Sequence, residues 1–155
     1  MGDEEMQALQ SLRTLLDKLP ARLEDLAPDA IDFKPVDAWS VKEEFGHLLD
    51  SAANNHQRIV RAQLEEHPAM PGYDGDQWVA VHGYQKRDWR ELIWTWRALN
   101  RQLLVAAEAV PDSAWARTLT VGDSAPLTLQ FVFEDYLHHM KDHLRHMKVQ
   151  CDDLA

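Results

Sequence analysis

The chain is poor in several things at once. It has one cysteine among 155 residues, and Lys and Arg number 16 against 26 Asp and Glu, a formal net charge of −10. A lone Cys151 excludes an internal disulfide and a thiolate metal cage. The shortage of basic residues argues against a nucleic-acid partner, because neutralising phosphates takes clustered Lys and Arg. The same charge disfavours docking on an anionic membrane surface. No apolar run approaches the roughly 18 residues of a membrane span, and the acidic start Met1-Gly-Asp-Glu-Glu-Met-Gln is unlike a signal peptide. A reducing, cytoplasmic setting is therefore expected. Apolar residues still make up 45% of the chain, which separates it from disordered sequences. At this length one domain, residues 1–155, is expected to bury roughly two-thirds of its unfolded surface.

What the chain does have is helical periodicity, eight histidines and six tryptophans. Met6, Leu9, Leu12, Leu16 and Leu19 recur at spacings of three and four, one face of a first helix. Leu23 and Leu26 continue the register, but Pro20 is expected to interrupt it and start a second short turn. Ser40-Val-Lys-Glu43 is a capping-box pattern opening a second helix that should run to about His67, ahead of Pro68. Residues 68–84 read as a long connection with one turn at most. Trp89, Trp96 and Leu103, with Leu92, Leu99 and Ala106, mark a third helix that Pro111 ends. Thr118-Leu-Thr-Val-Gly122 suits a short extended segment. A fourth helix starts near Pro126–Thr128 and carries Val132, Tyr136, Met140, Leu144 and Met147 to about Gln150.

Four amphipathic helices without strand alternation predict an all-α protein, a single four-helix bundle. Its connections exceed the roughly 2–8 residues usual in bundles. They admit a crossover, up-down-down-up topology as readily as the simple alternating one.

The fourth helix holds His138, His139, His143 and His146. At about 100° per residue, His139, His143 and His146 fall on one stripe, and His138 points away from it. Imidazoles four apart can converge on one ion. The same stripe could be a solvated histidine face, or core histidines with hydrogen-bond partners. A third ligand is best supplied by His47, about 10 Å from the start of the second helix, with His143 about 10 Å from the end of the fourth. Antiparallel helices with level ends would bring His47, His139 and His143 to one height and leave coordination positions open. His146 is then a fourth ligand or a hydrogen-bond donor behind the ligands, and Asp50 could orient an imidazole through its other nitrogen. His56 lies on the opposite side of the second helix from His47, and His67 and His82 fall in or beside the long connection.

Glu44-x-x-His47 matches half of a di-iron carboxylate site, but Asp135-x-x-His138 faces away from the stripe and two further glutamates are missing. No Gly-x-Ser-x-Gly occurs, and spacing dictates no general base. Trp89 and Trp96 read as core and Trp39 as a hydrophobic staple. Trp78 and Trp115 would either cover the bundle end near a metal or form a dimer contact.

The segment Pro35-Val-Asp-Ala-Trp39-Ser40-Val-Lys-Glu43-Glu-Phe-Gly-His47-Leu-Leu-Asp50 resembles the first signature of the DinB/YfiT-like superfamily, and His139-Met-Lys-Asp-His143-Leu-Arg-His146 resembles its last. In length, helix order and motif placement the resemblance covers essentially the whole chain. Many members carry Gln where this chain has His146. The resemblance implies a four-helix bundle, often a homodimer, holding a divalent zinc, nickel, iron or manganese ion on His47, His139 and His143. It also implies a small-molecule substrate, with a low-molecular-weight thiol among the candidates.

The expectation is thus a metal-dependent enzyme, a small-thiol S-transferase or a hydrolase. The alternative is a non-catalytic dimeric bundle that binds a metal or small ligand.

Overall fold

In the computed structural model, which describes residues 1–154, the leucine stripe of the first segment forms one helix, α1 (Asp3–Glu24). Asp3, Glu4 and Glu5 fill its first turn, where negative charge suits the helix dipole. The break expected at Pro20 does not occur. A proline removes one backbone donor at a cost of about 3 kcal/mol, whereas each buried leucine contributes about 1.5–3 kcal/mol. Leu16, Leu19 and Leu23 are all buried around it, so burial outweighs the lost bond.

After a single turn, α2 (Pro28–Asp32), the capping box forms as read. Ser40 Oγ accepts from Glu43 N at 3.1 Å and Glu43 Oε1 accepts from Ser40 N at 3.0 Å, opening α3 (Val41–Leu64). α3 stops three residues short of the expected His67. The Arg117 guanidinium explains the stop, donating at 2.9 Å to each of the carbonyls of Gln63 and Glu65 and holding the chain end in place.

The following connection contains more structure than expected. A two-residue strand, β1 (Ala69–Met70), precedes α4 (Gly75–His82), which Asp74 caps at its start and Gly83 ends at φ 56°. A 3-10 turn, Tyr84–Lys86, then leads to α5 (Trp89–Glu108), capped by Asp88. β2 (Thr118–Val121) is the extended segment foreseen at Thr118-Leu-Thr-Val-Gly122. It pairs in parallel with β1 and antiparallel with β3 (Leu127–Thr128).

Thr128 caps α6 (Leu129–His146), which ends before the expected Gln150. Lys148 adopts φ 62°, and the amides of Lys148 and Val149 donate back to Arg145 O and Leu144 O. This is a Schellman stop, with lysine taking the place usually held by glycine.

α1, α3, α5 and α6 form the bundle, and cross-helix contacts give their directions. Arg13 meets Glu108, and Trp89 Nε1 donates to Leu23 O, so α1 and α5 are antiparallel. Phe45 packs on Trp89 while Gln63 Nε2 donates to Ala106 O, so α3 and α5 are parallel. Gln130 reaches Glu4 and Lys141 reaches Ser11, so α1 and α6 are parallel. The topology is up-down-down-up, and α1 faces α3 across the bundle's diagonal. A parallel α3–α5 pair needs a connection long enough to return along the bundle, which is what residues 65–88 provide.

Leu12, Phe45, Leu92, Trp96 and Phe133 lie in one continuous apolar core. Trp115 also belongs to the core, 3% exposed and stacked near Phe133 at 5.8 Å. It therefore offers no surface contact, and it packs at the start of α6, away from the histidines near that helix's end. Among the described residues no helix is long and apolar enough to cross a membrane.

Candidate metal centre

Capping fixes the first turn of α3, and that rigid start carries Glu44 and His47 inward; Glu44, His47 and Asp50 are all buried. α6 runs antiparallel to α3 and ends beside this turn, with His139 and His143 one helical turn apart on the facing side. The three imidazoles converge. His139 Nε2 lies 3.3 Å from His47 Nε2 and 3.1 Å from His143 Nε2, and the three candidate ligand atoms all fall within 4.8 Å of one another. Metal–nitrogen bonds of about 2.0–2.1 Å in a tetrahedral site set nitrogens about 3.3–3.4 Å apart, close to two of these three edges. The spacing therefore fits one ion with a position left open.

The protonation state suits the same task. Burial pushes the His47 imidazole down to about 4, with the neighbouring His143 and His139 adding to the effect. Burial also lowers His139, again with His143 contributing. Neutral imidazole is the form that ligates a metal.

Behind the cluster stands Glu44. His143 Nδ1 donates to Glu44 Oε2 at 3.3 Å, which leaves His143 Nε2 as the lone-pair nitrogen facing the other two rings. His146 Nδ1 donates to both oxygens of the same carboxylate, at 2.6 and 2.7 Å. His146 is thus a hydrogen-bond partner of Glu44 and stands outside the three-ring cluster, its side chain 80% exposed. Burial raises the Glu44 carboxyl, but the hydrogen bonds from His143 and His146 outweigh it and hold the group below its ordinary value.

Asp50 does not orient an imidazole of the cluster, contrary to expectation. It is 2% exposed and accepts from the Tyr84 hydroxyl at 2.7 Å, with His82 Nδ1 at 3.0 Å. Gly46 makes this possible, since a Cβ there would lie 2.0 Å from Tyr84 Cδ2. Burial raises the Asp50 carboxyl against the pull of the Tyr84 hydrogen bond. Among the described residues His47 Nδ1 has no hydrogen-bond partner. It faces Gly75, where an added Cβ would sit 3.2 Å from it, and Trp39 stacks on the His47 ring at 4.8 Å. Trp39 therefore forms a wall of the site, a role different from the staple expected of it. Trp78 pairs with Tyr73 at 5.4 Å, and Tyr73 lies 6.4 Å from His47.

The remaining histidines lie elsewhere. His138 is on the outer face of α6 near Asp142 at 3.3 Å, and His67 Nδ1 lies 2.7 Å from Thr118 Oγ1. His56 is half-buried outside the cluster. His138 and Asp135 do not join Glu44 and His47, so no di-iron carboxylate arrangement forms among the described residues. Glu44, the carboxylate behind the cluster, was weighed in the sequence only for a di-iron architecture that was set aside, and no role beside His143 was read for it. Its position one turn before His47 was the available signal.

Known proteins resemble this chain in sequence and in fold. Residues 11–147 match the DinB superfamily. A protein of Oceanobacillus iheyensis, named for an inferred metal-dependent hydrolase activity, is 26% identical over 113 residues, 73% of this chain. The match spans 65% of that relative's length, just under two thirds. YfiT of Bacillus subtilis, named for the same inferred activity, is 27% identical over 146 residues, covering 86% of this chain and 78% of its own. The solved structure of YfiT, described as having an unusual four-helix bundle topology, aligns with a TM-score of 0.75 at 21% identity. That alignment covers 97% of this chain and 91% of YfiT.

Proposed function

The chain belongs to the DinB superfamily, and from that premise we propose that it is a divalent-metal-dependent enzyme acting on a small molecule. His47, His139 and His143 would hold the ion through Nε2, and the reaction would be small-thiol transfer or hydrolysis. The observation that carries this reading is the convergence of three Nε2 atoms, with Glu44 on the opposite nitrogen of His143. A bound divalent ion would supply Lewis acidity, favouring thiolate or hydroxide at neutral pH.

The chain's own residues do the positioning. Glu44 fixes the tautomer and ring orientation of His143 and draws His146 toward the site. Trp39 and the close backbone of Gly75 restrict the His47 ring. The donors suit zinc, nickel or iron, with manganese admitted by the family resemblance. The same reading takes a low-molecular-weight thiol as a candidate substrate, a homodimer as the assembly and a reducing cytoplasm as the setting. It excludes nucleic acid as a partner, in keeping with a net charge of −10.

Elemental analysis of protein purified without added metal tests the site. The expected result is about one equivalent of divalent metal in the wild type and none in His143→Ala. Full retention in the variant would refute the ligand set. Metal-loaded protein that turns over no thiol or ester substrate would reassign the chain as a metal-binding bundle.

A further inference from the structure

Beyond His47 the same face of α3 continues through Ser51, Asn55 and Arg58, and α6 presents Asp135 and His139 across from it. These side chains border a cavity of about 150 Å³. Because His139 forms part of the wall, a molecule in this cavity lies beside the three-histidine cluster.

Arg58 is half-buried, yet its contacts are long. Its Nη1 lies 3.4 Å from Asn55 Oδ1 and its Nη2 lies 3.5 Å from Pro71 O, while the Tyr73 ring sits 5.9 Å from Cζ. The other arginines differ. Arg13, Arg22, Arg61, Arg87 and Arg145 reach carboxylates. Arg117 binds the carbonyls at the end of α3, and Arg90, Arg97 and Arg101 are exposed to solvent. Among the described residues, only Arg58 is withdrawn from water without a strong acceptor.

A guanidinium cannot shed its charge in a protein, and withdrawing it unpaired from water is costly. Its planar fork of donors matches the two oxygens of a carboxylate. The cavity has room for roughly five water-sized groups, hence for a carboxylate on a short carbon chain. Asp135, exposed on the same wall, acts on Arg58 through its charge but makes no ion pair with it or with any other described residue, and its carboxylate opposes a dianion such as phosphate more than a monocarboxylate.

We propose that Arg58 binds the carboxylate of a small monocarboxylate substrate whose reactive end reaches His47, His139 and His143. The proposal rests on the metal-site reading above and adds the substrate's charge and size to it.

The test uses cobalt-loaded full-length protein, with the visible cobalt spectrum reporting thiol binding. Two probes of equal length are compared, 3-mercaptopropionate and the neutral 3-mercaptopropionamide. Wild type should bind the carboxylate about tenfold or more tightly than the amide, the scale of one charge-assisted contact. Arg58→Gln should erase that preference, and Arg58→Lys should restore part of it. Equal affinity for the two probes in wild type, or a preference that survives Arg58→Gln, overturns the role of Arg58 and leaves the metal site standing. Failure of cobalt to bind overturns the metal site. Arg58 is then judged by a second measurement, its own Nε–H resonance in the metal-free protein titrated with propionate. A saturable shift that is absent in Arg58→Gln supports the assignment, and a non-saturating drift overturns it.

Discussion

The bundle has two antiparallel seams of very different chemistry. α1, which packs on α5, buries seven apolar residues and one polar one, Ser11, which meets Lys141. α3, which packs on α6, buries Glu44, His47, Asp50, Ser51 and Asn55 among its twelve buried residues. Orphaned polar atoms occur in both halves of the molecule, at Trp96 and Trp115 Nε1 as well as at His47 Nδ1 and Asp50 Oδ2. Among the described residues, however, the orphaned groups that are ionisable both lie on α3. Burying such groups costs stability unless something compensates them, whereas each buried leucine contributes about 1.5–3 kcal/mol. The fold therefore depends on the first seam for stability and keeps the second for chemistry.

Substitutions on the two seams should separate these roles, and the largest effect belongs to α1. Leu12 is fully buried, and Leu12→Ala should lower the unfolding free energy by about 2–5 kcal/mol. In contrast, His47→Leu should leave the metal-free protein within about 1 kcal/mol of wild type at pH 7, because it replaces a desolvated imidazole with an apolar side chain of similar size. Urea denaturation of chelator-treated protein measures both. A loss in His47→Leu equal to that in Leu12→Ala would abolish the distinction between the seams.

Acidification should also reveal the polar seam. The unfolded His47 takes up its proton near 6.5, but the folded imidazole does so only at about 4. Between these values the unfolded chain binds more protons, so folding stability is full above about 6.5 and declines as pH falls toward 4. His47 alone should contribute a loss of about 3 kcal/mol in the metal-free protein, with the lowered His139 adding to it and the raised Asp50 carboxyl opposing it. Glu44, held below its ordinary 4.5, adds its own loss only at lower pH. The slope between pH 6.5 and 4.5 should flatten in His47→Leu, and urea midpoints across that range would show it. An unchanged slope in the variant would remove His47 as its source.

How far each seam could be read from the chain follows from the range of its contacts. The capping box at Ser40, the four-residue step from His139 to His143 and the stripe of α1 are local patterns, and all three appear in the structure. The meeting of His47 with His139 and His143 was also legible, although the expected match of depths holds only in part: α6 stops at His146, so His139, about 10 Å from that end, lies as deep as His47, and His143 is about one turn nearer the end. The other differences depended on tertiary packing. Pro20 is tolerated because of leucines that α5 and its neighbours bury, and β1 and β3 are too short to alternate. Asp74 and Gly83 were visible boundary signals for α4 inside a segment read as irregular. Asp50 points to Tyr84 only because Gly46 admits the ring. The polar face of His47, Ser51, Asn55 and Arg58 looks like a surface stripe until α6 covers it.

The smallest expected effect lies where the polar seam is best satisfied. Glu44 is 7% exposed and its carboxylate accepts from both His143 and His146. Glu44→Gln keeps the size but loses the charge, and an amide can turn a donor toward the imidazoles. His143 then loses the partner that fixes Nδ1 as its protonated nitrogen, and a share of its rings will present the wrong tautomer to an ion. Partners of this kind behind metal ligands are typically worth 10–100-fold in affinity, about 1.4–2.8 kcal/mol. Competition against a chromophoric chelator should therefore show metal binding weakened by roughly that factor. His146 shares the carboxylate but stands outside the cluster, so His146→Gln should weaken binding less than Glu44→Gln does. If the two variants weaken metal equally, the carboxylate acts through His146 and not through His143. If neither weakens it, the three imidazoles hold their geometry by packing alone, with Trp39 and Gly75 sufficient to fix the rings.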